Sequence, residues 1–132
     1  MLFIVDAIGL RPQTRSMADR IASWGYTVLV PNVFYHWGTA AETSPAQPLL
    51  DDESRADFFA TAMPRVHALT PDVVDPDLVD YLDALQAVAP GKVGAIGYCM
   101  GGRLALRAAA LRPDTVAAVG LFHTGGLVTD KL

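Results

Sequence analysis

Cysteine is nearly absent from the chain: Cys99 is the only one among 132 residues. One thiol closes no internal disulfide and excludes zinc-ribbon or Cys-x-x-Cys chemistry. Charge is scarce too, at 18% of residues against about 25% in ordinary soluble proteins. The balance is acidic, with a net charge of −4, which removes the basic footprint that nucleic-acid binding needs. No run approaches the roughly 18 apolar residues of a membrane span. The opening Met1 to Leu10 is apolar, but it lacks a basic start and Asp6 interrupts it, against the pattern of a signal peptide. The expectation is a soluble, acidic, cytoplasmic chain with neither nucleic acid nor membrane as partner. What is abundant is apolar side chain, at 52%. That argues against disorder and for a surface part of which expects cover. The length holds one domain at most.

The order of elements follows from periodicity and punctuation. Leu2 to Val5 is a continuous apolar run, the mark of a strand covered on both faces. Thr14 can cap a helix whose apolar positions Met17, Ile21 and Trp24 share one face, placing Trp24 in the core, and Gly25 closes it. Tyr26 to Val30 reads as a second strand stopped by Pro31. Residues 31–50 read as a long loop carrying Phe34, Tyr35, His36 and Trp37, and loops of that length are usually functional or mobile. Asp51, Asp52 and Glu53 suit the start of a helix containing Phe58, Phe59 and Met63. Asp75-Pro76 is a start signal for the next helix. Lys92 to Ile96 is a third strand, and Gly97 to Gly102 a glycine-rich turn. It opens into a helix over Arg103 to Leu111, apolar nearly all round and so expected to be sandwiched in a core. Thr115 to Phe122 is a fourth strand. This order specifies an α/β fold, mainly a parallel sheet with flanking helices.

The segment Gly97-Tyr98-Cys99-Met100-Gly101-Gly102 carries the chemistry. A nucleophile at the tip of a strand-to-helix turn must adopt a strained backbone. Small residues two positions before and after it let strand and helix pass closely. Gly97 and Gly101 hold those positions around Cys99. The helix start behind the turn favours a thiolate and offers the Met100 N–H to an oxyanion. The competing readings are a buried cysteine acting as a small hydrophobe and a phosphate-binding loop. Against the second, there is no Gly-x-Gly-x-x-Gly, and no Lys-Ser or Lys-Thr follows the glycines.

On this run, Gly97 to Arg103, the chain resembles the dienelactone hydrolase family of α/β-hydrolases, whose elbow carries cysteine in place of the commoner serine. Asp6-Ala7-Ile8-Gly9 and the stretch from Val30 to Tyr35 resemble the family in the same order. The resemblance implies that Cys99 attacks an ester or lactone carbonyl and that the backbone amides of Ala7 and Met100 form the oxyanion hole. It also implies that Asp6 matches the family's glutamate near the thiol. The family's substrate-carboxylate arginines find no match, with Arg55 and Arg65 as loose candidates. No metal or organic cofactor is implied, and the partner expected is a small ester or lactone.

The hydrolase order is nucleophile, acid, histidine, each after a later strand. By resemblance the acid-bearing and histidine-bearing strands would follow Leu132, so residues 1–132 are read as a single partial α/β-hydrolase domain. Within the chain His123 follows the strand expected beside Cys99. It reads as a pocket-lining histidine or, alternatively, as a base. Asp6, Ile8, Tyr35, His36 and His123 are the pocket candidates, with Trp37 beside them at the sheet's C-terminal edge. His67 reads as a surface helix residue and Asp130 as a solvated tail charge. The alternative function is a non-catalytic fragment that binds a small ligand or self-associates, as a homodimer through an exposed sheet edge.

Overall fold

The computed structural model describes residues 1–128; Asp130 lies outside them. Three strands form a parallel sheet in the order β1 (Leu2–Ile4), β2 (Val93–Tyr98), β3 (Val116–Phe122). The helices are α1 (Pro12–Ala22), α2 (Ala40–Thr43), α3 (Asp52–Ala68), α4 (Pro71–Val88) and α5 (Met100–Leu111), with a 3-10 turn at Tyr35–Trp37. The α/β class read from the sequence is the class found.

β1 sits at the centre of the core. Leu2, Phe3, Ile4 and Val5 are at most 1% exposed, because β1 has a neighbour at each edge while α4 and α5 pack against it. The neighbour opposite β2 is slighter than the expected strand over Tyr26 to Val30. Only Leu29 bridges to Leu2, exchanging bonds of 2.9 Å through Phe3 N–H to Leu29 O and Leu29 N–H to Met1 O. Tyr26 and Thr27 are exposed, and Pro31 has no N–H with which to continue a ladder.

Four other expectations shift. α1 begins at Pro12, one turn before the residue expected to cap it. Arg11 is the N-cap, and Thr14 closes the turn from inside by accepting the Arg11 N–H at 3.0 Å. The same helix ends at Ala22, so Trp24 leaves the helical phase and is 66% exposed instead of buried. α4 begins at Pro71, which suits a first helical position, so Asp75-Pro76 lies inside the helix instead of opening it. α5 is one-sided: Leu104, Ala105 and Ala108 are buried, while Arg103, Leu106 and Ala110 face out.

The cap at Asp51 is as expected, its carboxylate accepting the Ser54 N–H at 2.8 Å. That bond and the Ser54 hydroxyl hold its pKa below the usual carboxylate value. The long loop over 31–50 contains the 3-10 turn and α2, whose cap Thr39 shares a reciprocal pair of bonds with Glu42. α4 and α5 are tied by the Arg107–Asp75 ion pair and by Arg112 Nη2 to Asp83 at 2.7 Å. Among the described residues no helix is long and apolar enough to cross a membrane.

Candidate active site around Cys99

The turn from β2 into α5 is a sharp reversal with Cys99 at its tip. Cys99 has φ 55° and ψ −121°, a conformation that L-residues seldom adopt outside turns. The surrounding glycines explain how strand and helix approach. A Cβ on Gly97 would lie 2.0 Å from the Gly101 carbonyl oxygen, and one on Gly101 would lie 2.4 Å from that of Val5. Both neighbours are backbone atoms with nowhere to go, so each position excludes any side chain. Met100 is the first residue of α5, and a first-turn N–H has no partner within its helix.

Sheet register assembles the rest of the site. Ile4 pairs with Gly97, so Asp6 and Cys99 each lie two residues beyond the same rung. The turn holding Asp6, Ala7 and Ile8 therefore flanks the elbow on the β1 side. Tyr98 pairs with Phe122 on the other side, which sets His123 abreast of Cys99. The Cys99 N–H donates to the Phe122 carbonyl at 3.0 Å.

Asp6 is fully engaged. Its Oδ1 accepts the Ile8 N–H at 3.0 Å and Arg11 Nη1 at 2.7 Å, while Oδ2 accepts Arg11 Nη2 at 2.9 Å. Arg11 also donates to the Gly9 carbonyl at 2.9 Å. The turn that holds Ala7 is thereby braced by a bidentate ion pair, and Arg11 is a residue beside the elbow that sequence reading passed over. The pairing of Asp6 with an arginine five residues on was the available signal.

His123 has φ 41°; its ring centroid is 6.2 Å from that of Tyr98, and the ring is exposed. Among the described residues no hydrogen bond joins it to Cys99. Tyr98 stacks on Phe122 at 4.7 Å and leans on Phe3 at 5.4 Å, an aromatic row spanning all three strands beneath the elbow.

Tyr35 and His36 belong to a different cluster. The Tyr35 hydroxyl donates to Asp77 Oδ1 at 2.7 Å, and His36 Nε2 lies 3.0 Å from Asp77 Oδ2. Bonding to the Asp77 carboxylate raises the Tyr35 pKa. Burial raises that of Tyr81 beside it, and the Asp77 charge adds to this. Asp77, on α4, was invisible as a partner from sequence. Trp37 packs edge-on against His36 at 5.7 Å.

A groove of about 630 Å³ runs along the outer side of α5 between Val66, Leu69, Val74, Leu104 and Leu127, meeting the elbow through Met100. Tyr35, His36 and His123 do not line it. Arg55 is exposed, as is His67. Arg65 is committed to the Thr43 carbonyl at 2.8 Å and to the face of Phe34. Among the described residues no group of three or more histidine, cysteine or acidic side chains is gathered as a metal site.

The profile of the dienelactone hydrolase family matches residues 1–131. The chain belongs to that family. Dienlactone hydrolase 1 of Gibberella moniliformis is 34% identical over 109 residues, 81% of this chain and 39% of its own length. A carboxymethylenebutenolidase of Pseudomonas sp. (strain P51) is 31% identical over 105 residues, 80% of this chain and 42% of its own length. A dienelactone hydrolase-like promiscuous phosphotriesterase from metagenomic libraries shares the fold, with a TM-score of 0.61 and 24% identity over 98% of this chain and 49% of that one. This dienelactone hydrolase family chain thus spans about two fifths of the length of those two curated relatives and half that of the solved structure.

Proposed function

We propose that the chain carries the nucleophile of a hydrolase acting on small carboxylic esters or lactones, with Cys99 as the attacking group. The observation that carries the reading is the backbone of Cys99: a positive φ at a strand-to-helix tip, held between two glycines that tolerate no side chain. Strain of this kind costs about 1–3 kcal/mol and persists only where the surroundings over-determine it. A cysteine acting as a core hydrophobe needs no such backbone, and Cys99 is only partly buried.

In this reading the thiolate adds to the substrate carbonyl, and the oxygen takes its charge between the amides of Met100 and Ala7. An oxyanion-hole donor is typically worth about 3–4 kcal/mol of barrier. Collapse expels the alcohol, which takes a proton, and leaves an acyl-thioenzyme that water cleaves. Asp6 acts through Arg11 and the Ile8 amide, fixing the turn that aims the Ala7 amide. Ile8 and His123 border the carbonyl's approach, whereas Tyr35 and His36 stay with Asp77 in their own cluster. The reading calls on no metal or organic cofactor.

The test is hydrolysis of p-nitrophenyl acetate by the chain and by Cys99→Ala. Nitrophenolate release that disappears in the variant is the expected result. Sustained release means that the chain or an oligomer completes the site, and a single equivalent means that the acyl-thioenzyme accumulates. Equal release from both proteins would overturn the reading.

One observation favours a second reading, self-association. Among the described residues β3 is paired on one side only, and its seven residues, Val116–Phe122, carry no charge and no proline, the devices by which sheet edges discourage pairing. Ala118 is exposed on it. If two copies join edge to edge, sedimentation shows a dimer that Ala118→Lys dissociates; a monomer at all concentrations removes this reading.

A further inference from the structure

Cys99 and His123 are the two non-glycine residues with positive φ among the described residues, and they face each other across the β2–β3 ladder. The last residue of β3 and the turn after it each touch the elbow. The Phe122 carbonyl accepts the Cys99 N–H at 3.0 Å. Thr124, two residues on, lies over Gly102 in the first turn of α5. A Cβ on Gly102 would stand 1.8 Å from Thr124 Oγ1, 2.8 Å from its Cβ and 2.9 Å from its Cγ2. The threonine side chain thus fills the notch that the missing Gly102 side chain leaves.

We infer that Thr124 is a positioning residue for Cys99, an inference that rests on the nucleophile reading above. On the β1 side the elbow is fixed by backbone against backbone, at Gly101 and the Ile4 and Val5 carbonyls. On the β3 side, among the described residues, it meets this side chain and the Phe122 carbonyl. Thr124 Oγ1 also approaches that carbonyl, at 3.4 Å, long for an O–H···O bond. The shape of the side chain therefore does the positioning, and the hydroxyl adds little. Without the branched side chain the first turn of α5 gains room to move toward β3, taking the Met100 N–H away from the thiol and relaxing the Cys99 backbone.

The experiment compares Thr124→Ala, Thr124→Val and Thr124→Ser with the unaltered chain. It reads the iodoacetamide alkylation rate of Cys99 at neutral pH, the initial nitrophenolate burst from p-nitrophenyl acetate, and Tm. Small displacements of a reacting group cost up to about 100-fold, so Thr124→Ala is expected to slow alkylation and burst about tenfold. Thr124→Val, which keeps the shape, stays near the original rates; Thr124→Ser falls between. Gly102→Ala alone is expected to impair alkylation, and adding Thr124→Gly to restore part of it by making room for the new methyl. Alkylation unchanged in Thr124→Ala, or a loss that only tracks Tm across the series, overturns the inference. If the unaltered chain gives no Cys99-dependent burst, the hydrolase reading falls, and the alkylation series still decides the role of Thr124.

Discussion

The strand β2, which leads into Cys99, has a sealed flank and an open one. Toward β1, Leu2 through Val5 are all but inaccessible, and the turn beyond them is braced by Asp6 and Arg11. Toward β3, Ala117, Ala118 and Phe122 are exposed, and the elbow meets the Phe122 carbonyl and the Thr124 side chain. One flank therefore supplies the stability that holds a strained residue in place, while the other is adjustable. The contrast separates substitutions that unfold the chain from those that leave it folded but less reactive.

The sealed flank is where the largest effects are expected. Phe3→Ala empties a fully buried site and should cost about 3–5 kcal/mol in urea unfolding. Gly97→Ala forces a methyl onto a backbone carbonyl; about 3 kcal/mol is expected, with loss of iodoacetamide reactivity in whatever stays folded. Asp6→Ala frees Arg11 and the Ile8 amide, at about 1–2 kcal/mol because the pair is partly exposed. The nitrophenolate burst should fall with it as the Ala7 amide loses its brace. Phe122→Ala on the open flank removes a ring that is 45% exposed and should cost about 1 kcal/mol. A Phe122→Ala cost equal to that of Phe3→Ala would erase the contrast between the flanks.

The smallest effect concerns acid. Arg107 beside Asp75 holds its carboxyl below the ordinary value. A lowered folded-state pKa contributes stability above the unfolded value of about 4 and loses it as pH falls through the folded value. Asp75→Asn should flatten the decline in urea midpoint between about pH 5 and pH 2.5. An unchanged slope would show that the caps at Glu42 and Asp51, lowered by their own hydrogen bonds, dominate acid sensitivity.

How much of this was legible in the sequence depends on how local each signal is. The elbow was readable because Gly97, Cys99 and Gly101 define it within five residues, and β2, α5 and β3 follow at once. The parallel sheet was readable from the alternation of apolar runs and helical stripes. Trp24 was misplaced because nothing in the stripe shows that the helix stops at Ala22. The start of α4 was set too late because Asp-Pro and Thr-Pro carry similar capping chemistry, and only packing against α5 decides between them. The anchor of Tyr35 and His36 lies more than forty residues away on α4, a distance over which spacing carries no information. Thr124 was legible only as a small polar residue after a strand, because its role depends on a notch made by another element.

Pro76, inside α4, has a consequence for motion. Proline has no N–H, so the Asp72 carbonyl four residues earlier loses its helical donor. The ladder of α4 is interrupted between its opening turn, which carries Asp75 and its tie to Arg107, and the stretch that buries Leu78, Leu82 and Leu85. In hydrogen exchange the two stretches should behave as separate units, the amides of 73–75 opening by local fluctuation and those of 80–88 only with the core. The opening turn of α4 then moves with α5, the helix behind the thiol, more closely than with the rest of its own helix.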